Sequence, residues 1–98
     1  MKSNKYIKFD GLNTDEVKQF LTNGKLQIEQ IREGDTEKGI PYWFDFKIQF
    51  SYLGTQHELP LHCNDVIIEF EDAKHDKYYN IMANETFEKS GKKYLHIK

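Results

Sequence analysis

The residues of this chain best suited to chemistry are four histidines, a single cysteine and a run of carboxylates. A metal site needs converging His, Cys and carboxylate ligands. His57 and His62 stand five apart in a segment that alternates like a strand, so they point to opposite faces, and His62 diverges from its neighbour Cys63. His75 and His96 belong to no ligand pattern. Cys63 falls on the apolar side of the alternating segment, where a thiol behaves as a small hydrophobe with its pKa pushed up. Glu69, Glu71, Asp72 and Asp76 lie close together, but no flanking apolar pocket separates their pKa values as a catalytic pair requires. There is no glycine-rich phosphate loop. The expectation is a protein that is not an enzyme and takes neither metal nor cofactor.

Two groups remain as contact candidates. Trp43, Asp45 and Lys47 share the polar side of a strand. A tryptophan beside a cation could stack on bases, and a tryptophan ringed by polar residues could anchor a protein interface. Asp45 between them and the lack of a basic stripe weigh against nucleic acid. The second group is the acidic stretch Glu69, Glu71, Asp72 and Asp76, diluted by Lys74. It could face a basic partner such as a nucleic-acid-binding protein, or be no more than a solvated loop. The expected partner is another protein. A single-stranded nucleic-acid-binding module on the Trp43 face and a self-associating assembly component are the alternatives.

The element that positions most of these groups is the segment 42–52. Phe44, Phe46, Ile48, Phe50 and Tyr52 alternate with Trp43, Asp45, Lys47, Gln49 and Ser51, which predicts one long strand with an apolar and a polar face. Gly54-Thr55 reads as a two-residue hairpin loop with Gly54 supplying a positive φ. That register sets Phe50 opposite Leu59, Ile48 opposite Leu61, Phe46 opposite Cys63 and Lys47 opposite His62. Before it, a short strand over 5–9 leads to a helix capped by Asn13, with Glu16 completing a capping box, Val17, Phe20 and Leu21 as its apolar stripe and Gly24 as its C-cap. A second strand over 26–31 and a charged loop over 33–39 follow. After the hairpin come a turn at Asn64-Asp65, a β-branched strand over 66–70, a polar loop, a strand over 78–83, a helical turn over 84–90 capped by Asn84 with Phe87 at the core edge, and a closing strand over 93–97. The fold class is α+β: a curved, mostly antiparallel sheet of about five to seven short strands with one short helix packed on it.

Composition narrows the setting. A chain of 98 residues is one domain. Seven Phe and six Tyr can build a core that the 38% apolar fraction understates. A net charge of −2 gives no bulk attraction to nucleic acid or anionic membrane. One cysteine makes no intrachain disulfide, which fits a reducing compartment. No apolar run has the length of a signal peptide core or a membrane span, so a soluble, cytoplasmic protein is expected.

Several stretches carry a family likeness: Ile7-Lys8-Phe9 followed by Glu16-Val17-Lys18-Gln19-Phe20-Leu21, then Asn64-Asp65-Val66-Ile67-Ile68, Lys77-Tyr78-Tyr79 and Thr86-Phe87-Glu88. Over about half its length the chain resembles small uncharacterised proteins encoded in phages and prophages of Gram-positive bacteria. Those carry a strand, a turn and an "EV-x-x-FL" helix, and later a "GD-W-I-I" strand, an aromatic strand and a "D-x-F-E" segment. Asn64 replaces the glycine and Val66 the tryptophan, and the long hairpin lies outside the likeness. The resemblance implies a mobile-element origin and carries no catalytic or binding residue. With no catalytic apparatus, it points to a protein-binding inhibitor of a host factor, including a nuclease of a defence system, as anti-CRISPR proteins are.

Overall fold

The computed structural model describes residues 4–32, 34, 37–39 and 43–91, with the backbone alone at 30–32, 43 and 44. In chain order the elements are β1 (Lys5–Lys8), α1 (Thr14–Phe20), β2 (Gly24–Arg32), β3 (Trp43–Tyr52), β4 (Thr55–Leu61), β5 (Asp65–Glu71), β6 (Lys77–Ala83) and α2 (Asn84–Lys89). The class is α+β, as the sequence pattern implies, with six antiparallel strands among the described residues. They divide between two three-stranded sheets, ordered β1-β5-β6 and β2-β3-β4. The loop expected over 33–39 falls largely outside the described residues, and the strand expected over 93–97 entirely so.

The alternation of β3 organises one sheet. Ile48 pairs with Leu26 on β2 and Leu59 on β4, and Phe46 with Ile28 and Leu61. The hairpin turns at Leu53-Gly54, two residues from the expected register, with φ of 53 and 76. Positive φ at both central positions suits the right-handed twist of the flanking strands. A shift of two leaves every side chain on its expected face, because the strand period is two. It changes the pairs, however. Phe50 meets His57, and their rings stack at 5.0 Å. Lys47 meets Pro60 rather than His62. Cys63 lies beyond the end of β4 and is exposed, so the expectation of a buried thiol against Phe46 is corrected.

In the other sheet, β5 is covered on both sides. Ile67 and Tyr79 join Phe9, Val17, Leu21, Leu26, Ile48, Phe50 and Leu61 in the core between the sheets. Val66 and Ile68 face the opposite way, onto Phe87 of α2. Helix α1 is seven residues long, starts with Asp15 and Glu16 where the helix dipole favours carboxylates, and buries Val17. Asn13 does not cap it through its side chain. The Asn13 amide donates instead to the Lys8 carbonyl at 2.9 Å, and Asp10 accepts the N–H groups of Leu12 and Asn13 at 2.7 and 2.8 Å. A local hydrogen-bonded loop has outcompeted the capping box. Gly24 opens β2 rather than closing α1, and Ala83, not Asn84, stands at the N-cap of α2.

Candidate functional site

Of the four sheet faces, two form the core and a third lies under α2. The fourth is the outer face of β2-β3-β4, built from cross-strand rows: Lys25, Gln49 and Glu58; Gln27, Lys47 and Pro60; Glu29 and Asp45; Ser51 and Gln56. None of these residues is buried. It is the polar half of the alternation that made β3 recognisable.

Its side chains are held. The Lys47 ammonium lies 3.1 Å from the Glu29 carboxylate and 3.6 Å from Glu58. The bond to Glu29 holds the ammonium pKa above its ordinary value; desolvation works the other way but is outweighed. The Gln49 amide donates to Glu58, and Gln56 donates to the Ser51 hydroxyl at 2.6 Å. Asp45 stands exposed and directly across from Glu29, two like charges in one row. Lys47 is thus committed to carboxylates of its own protein and has little charge left for a phosphate. Trp43 opens β3, paired through its backbone with Arg32 beyond a bulge in β2.

No protein-family model, no curated protein and no solved structure matches this chain. Within the described residues, no helix is long and apolar enough to cross a membrane. No group of three or more His, Cys, Asp or Glu side chains among them converges as a metal site would require.

The acidic stretch does not form one patch. Glu69 is buried between the sheets, 5% exposed, and so is not available as a surface charge. Tyr79 and Thr22 each donate a hydroxyl to its Oε2 at 2.9 Å, and Lys77 lies 3.6 Å from Oε1. Glu71 bonds His75 at 2.6 Å. Asp72 organises the β5-β6 turn: its Oδ1 accepts the N–H groups of Lys74 and Asp76, each at 2.9 Å, and its Oδ2 accepts the Tyr52 hydroxyl. Burial pushes the Asp72 carboxyl up, but the Asp76 N–H, the Tyr52 hydroxyl and the Lys74 N–H together leave it below its ordinary value. Asp76 itself is exposed.

Sequence reasoning missed the tie around Glu69. Asn23 completes it, its N–H donating to the Tyr79 hydroxyl at 2.9 Å and its amide to the Ser51 and Lys77 carbonyls. One signal was present. Val66, Ile67 and Ile68 form an apolar run, which marks a strand covered on both faces, so Glu69 had to enter a covered layer too. Its partners could not be read, since Thr22 lies 47 residues away along the chain. The tie joins the α1-β2 turn to β5 and β6, and its oxygen acceptors are already engaged. A saturated network of this kind rigidifies a fold.

Proposed function

We propose that this chain is a non-enzymatic, cytoplasmic protein-binding module whose contact surface is the outer face of β2-β3-β4. The observation that carries the reading is that no described residue covers this sheet face while its side chains are already fixed by the Glu29–Lys47–Glu58 clamp and the Gln49 and Gln56 bonds. A surface ordered before binding loses less side-chain freedom when a partner arrives. Among the residues of the face whose side chains are described, Glu29, Asp45 and Glu58 stand against Lys25 and Lys47. That balance suits a partner surface carrying lysine or arginine and disfavours a nucleic-acid backbone. Trp43, at the start of β3, is the expected apolar anchor. The likeness to small phage proteins supports a host factor as the partner, a defence nuclease among them.

The test is a pull-down of the tagged protein from Gram-positive host lysate, with and without nuclease treatment, followed by mass spectrometry. One partner should survive nuclease. It should be lost with Asp45→Lys, a change that relieves the repulsion with Glu29 and spares the fold. Trp43→Ala should weaken it by about 2 kcal/mol or more. A partner that binds both variants as well as the parent, or that disappears on nuclease treatment, overturns the proposal.

A further inference from the structure

Among the described residues, four strand edges have no neighbour in their sheets: β1, β6, β2 and β4. Open edges invite strand addition, and proteins blunt them with shortness, charge, proline or bulges. Three are blunted here. β1 has four residues and a lysine at each end. β2 carries Lys25 and Glu29 and a bulge between Gln30 and Arg32. β4 carries Glu58 and Pro60, the proline on an edge where its missing N–H costs no ladder bond. β6 is different: from Tyr78 to Ala83 it has no charge, no proline and no break in its pairing with β5.

Backbone groups alternate in direction along an antiparallel strand. The Lys77 carbonyl accepts from the Asn23 amide at 2.8 Å, and the Ile81 N–H donates to the Asn80 side chain at 2.9 Å. Residues 77, 79, 81 and 83 therefore turn their backbone groups away from β5. The Asn80 amide oxygen sits where the carbonyl of a neighbouring strand would sit. Beside Ile81 a groove of about 260 Å³ runs between β6 and β4, walled by Leu59, Pro60, Ile81 and Met82.

We propose that this groove takes an extended peptide segment of a protein partner, added to β6 as a further strand. A carbonyl of that segment replaces the Asn80 amide on the Ile81 N–H, and apolar side chains at alternate positions meet Leu59 and Ile81. β4 decides the occupant. A second copy pairing through β6 would bring its own β4 into the space that the first β4 already fills, whereas a single strand has no layer beneath it. Between Tyr78 and Ala83 the edge offers no charge, and although His62 and Asp65 also line the groove the Asp65 carboxylate already accepts the His62 N–H, so backbone bonds and apolar contacts carry the recognition. The inference rests on the protein-binding reading but uses a different surface, which shares only Pro60 with the Asp45 face.

A displayed library of random peptides, seven residues long to match β6, is the probe. Selected peptides, synthesised and titrated by fluorescence anisotropy, should alternate apolar and polar residues. Ile81→Pro deletes a donor that faces away from β5, and binding should fall by about tenfold or more. Asn80→Ala clears the placeholder and should tighten binding by roughly two- to fivefold, a gain that no folding defect produces. Thermal unfolding checks both folds, and Asn80→Ala decides alone if Ile81→Pro does not fold. Asp45→Lys should leave peptide binding unchanged, so failure here and failure of the face reading are separable. The inference is overturned if selection yields no binder, if Ile81→Pro binds like the parent, or if Asn80→Ala does not tighten. Competition by a peptide copying residues 92–98 would assign the groove to the chain's own end, and self-association abolished by Ile81→Pro would assign it to a second copy. Either also overturns it.

Discussion

Leu53 holds a φ of 53 with 70% of its surface exposed. A branched apolar side chain gains nothing at that position and crowds its own backbone in the left-handed region. Asparagine is the residue such a turn prefers, followed here by Gly54, which already fits. Leu53→Asn should therefore stabilise the protein by about 0.5–1 kcal/mol and raise its melting temperature by about 4 °C, read by circular dichroism. An unchanged or lower melting temperature would show that the tip does not turn at Leu53-Gly54. Glu69 is the opposite case at the same scale, a polar group in the core kept there by Thr22, Tyr79 and Lys77. Asp45, by contrast, faces solvent across from Glu29 and contributes to surface charge rather than to the fold.

At the level of elements, two connections are tied by aspartates. Asp10 ties the β1-α1 loop, its carboxyl lowered chiefly by the Leu12 N–H and then by the Asn13 N–H. Asp72 ties the β5-β6 turn. Both are held below their ordinary value in the folded state, so the stability they contribute is present above pH about 4 and is lost as pH falls through the folded values. Tyr52 belongs to the second tie. Its bond to Asp72, followed by desolvation, raises its pKa, so the stability of the neutral phenol is lost only as pH rises past about 10. Asp72→Asn keeps an acceptor for Lys74 and Asp76 and removes the charge. Denaturant titrations from pH 2 to 7 should show a flatter acid limb, and absorbance titration should show one tyrosine ionising at lower pH. A variant with the parent's acid limb and tyrosine titration would mean that Asp72 does not hold this turn.

The whole molecule is long, 55 × 32 × 19 Å, with a radius of gyration of 15.4 Å against about 13 Å for a compact domain of this size. Such a shape gives much sheet surface for its mass. None of the faces described is a basic stripe, and the best placed cation, Lys47, is bonded to Glu29 and Glu58. Fluorescence anisotropy should accordingly detect no binding to single-stranded DNA or RNA at physiological salt. Affinity for a protein partner should fall only gently with added salt, since apolar and preformed polar contacts carry it. A steep salt dependence that Lys47→Ala flattens would identify a nucleic-acid binder and sink the protein-binding reading.

What the sequence by itself determined was the local order. Period-two alternation placed Phe46, Ile48 and Phe50 against the core and Asp45, Lys47 and Gln49 outside it, and this survived a hairpin shifted by two residues because the shift preserves every face. The apolar stripe of α1 and the plug at Phe87 were legible for the same reason: each depends on neighbours a few residues away. Tertiary structure alone decided the rest. Whether β1 pairs with β2 or with β5, and so whether there is one sheet or two, turns on contacts about sixty residues apart that no periodicity encodes. The same holds for the burial of Glu69 and for Asn23 reaching Lys77, where short polar side chains find partners only once two sheets have met. Cys63 came out exposed because β4 ends at Leu61 and the chain turns at once into β5, the His62 N–H donating to the Asp65 carboxylate and the Asp65 N–H to the His62 carbonyl, a tie that the alternation of the strand did not reveal.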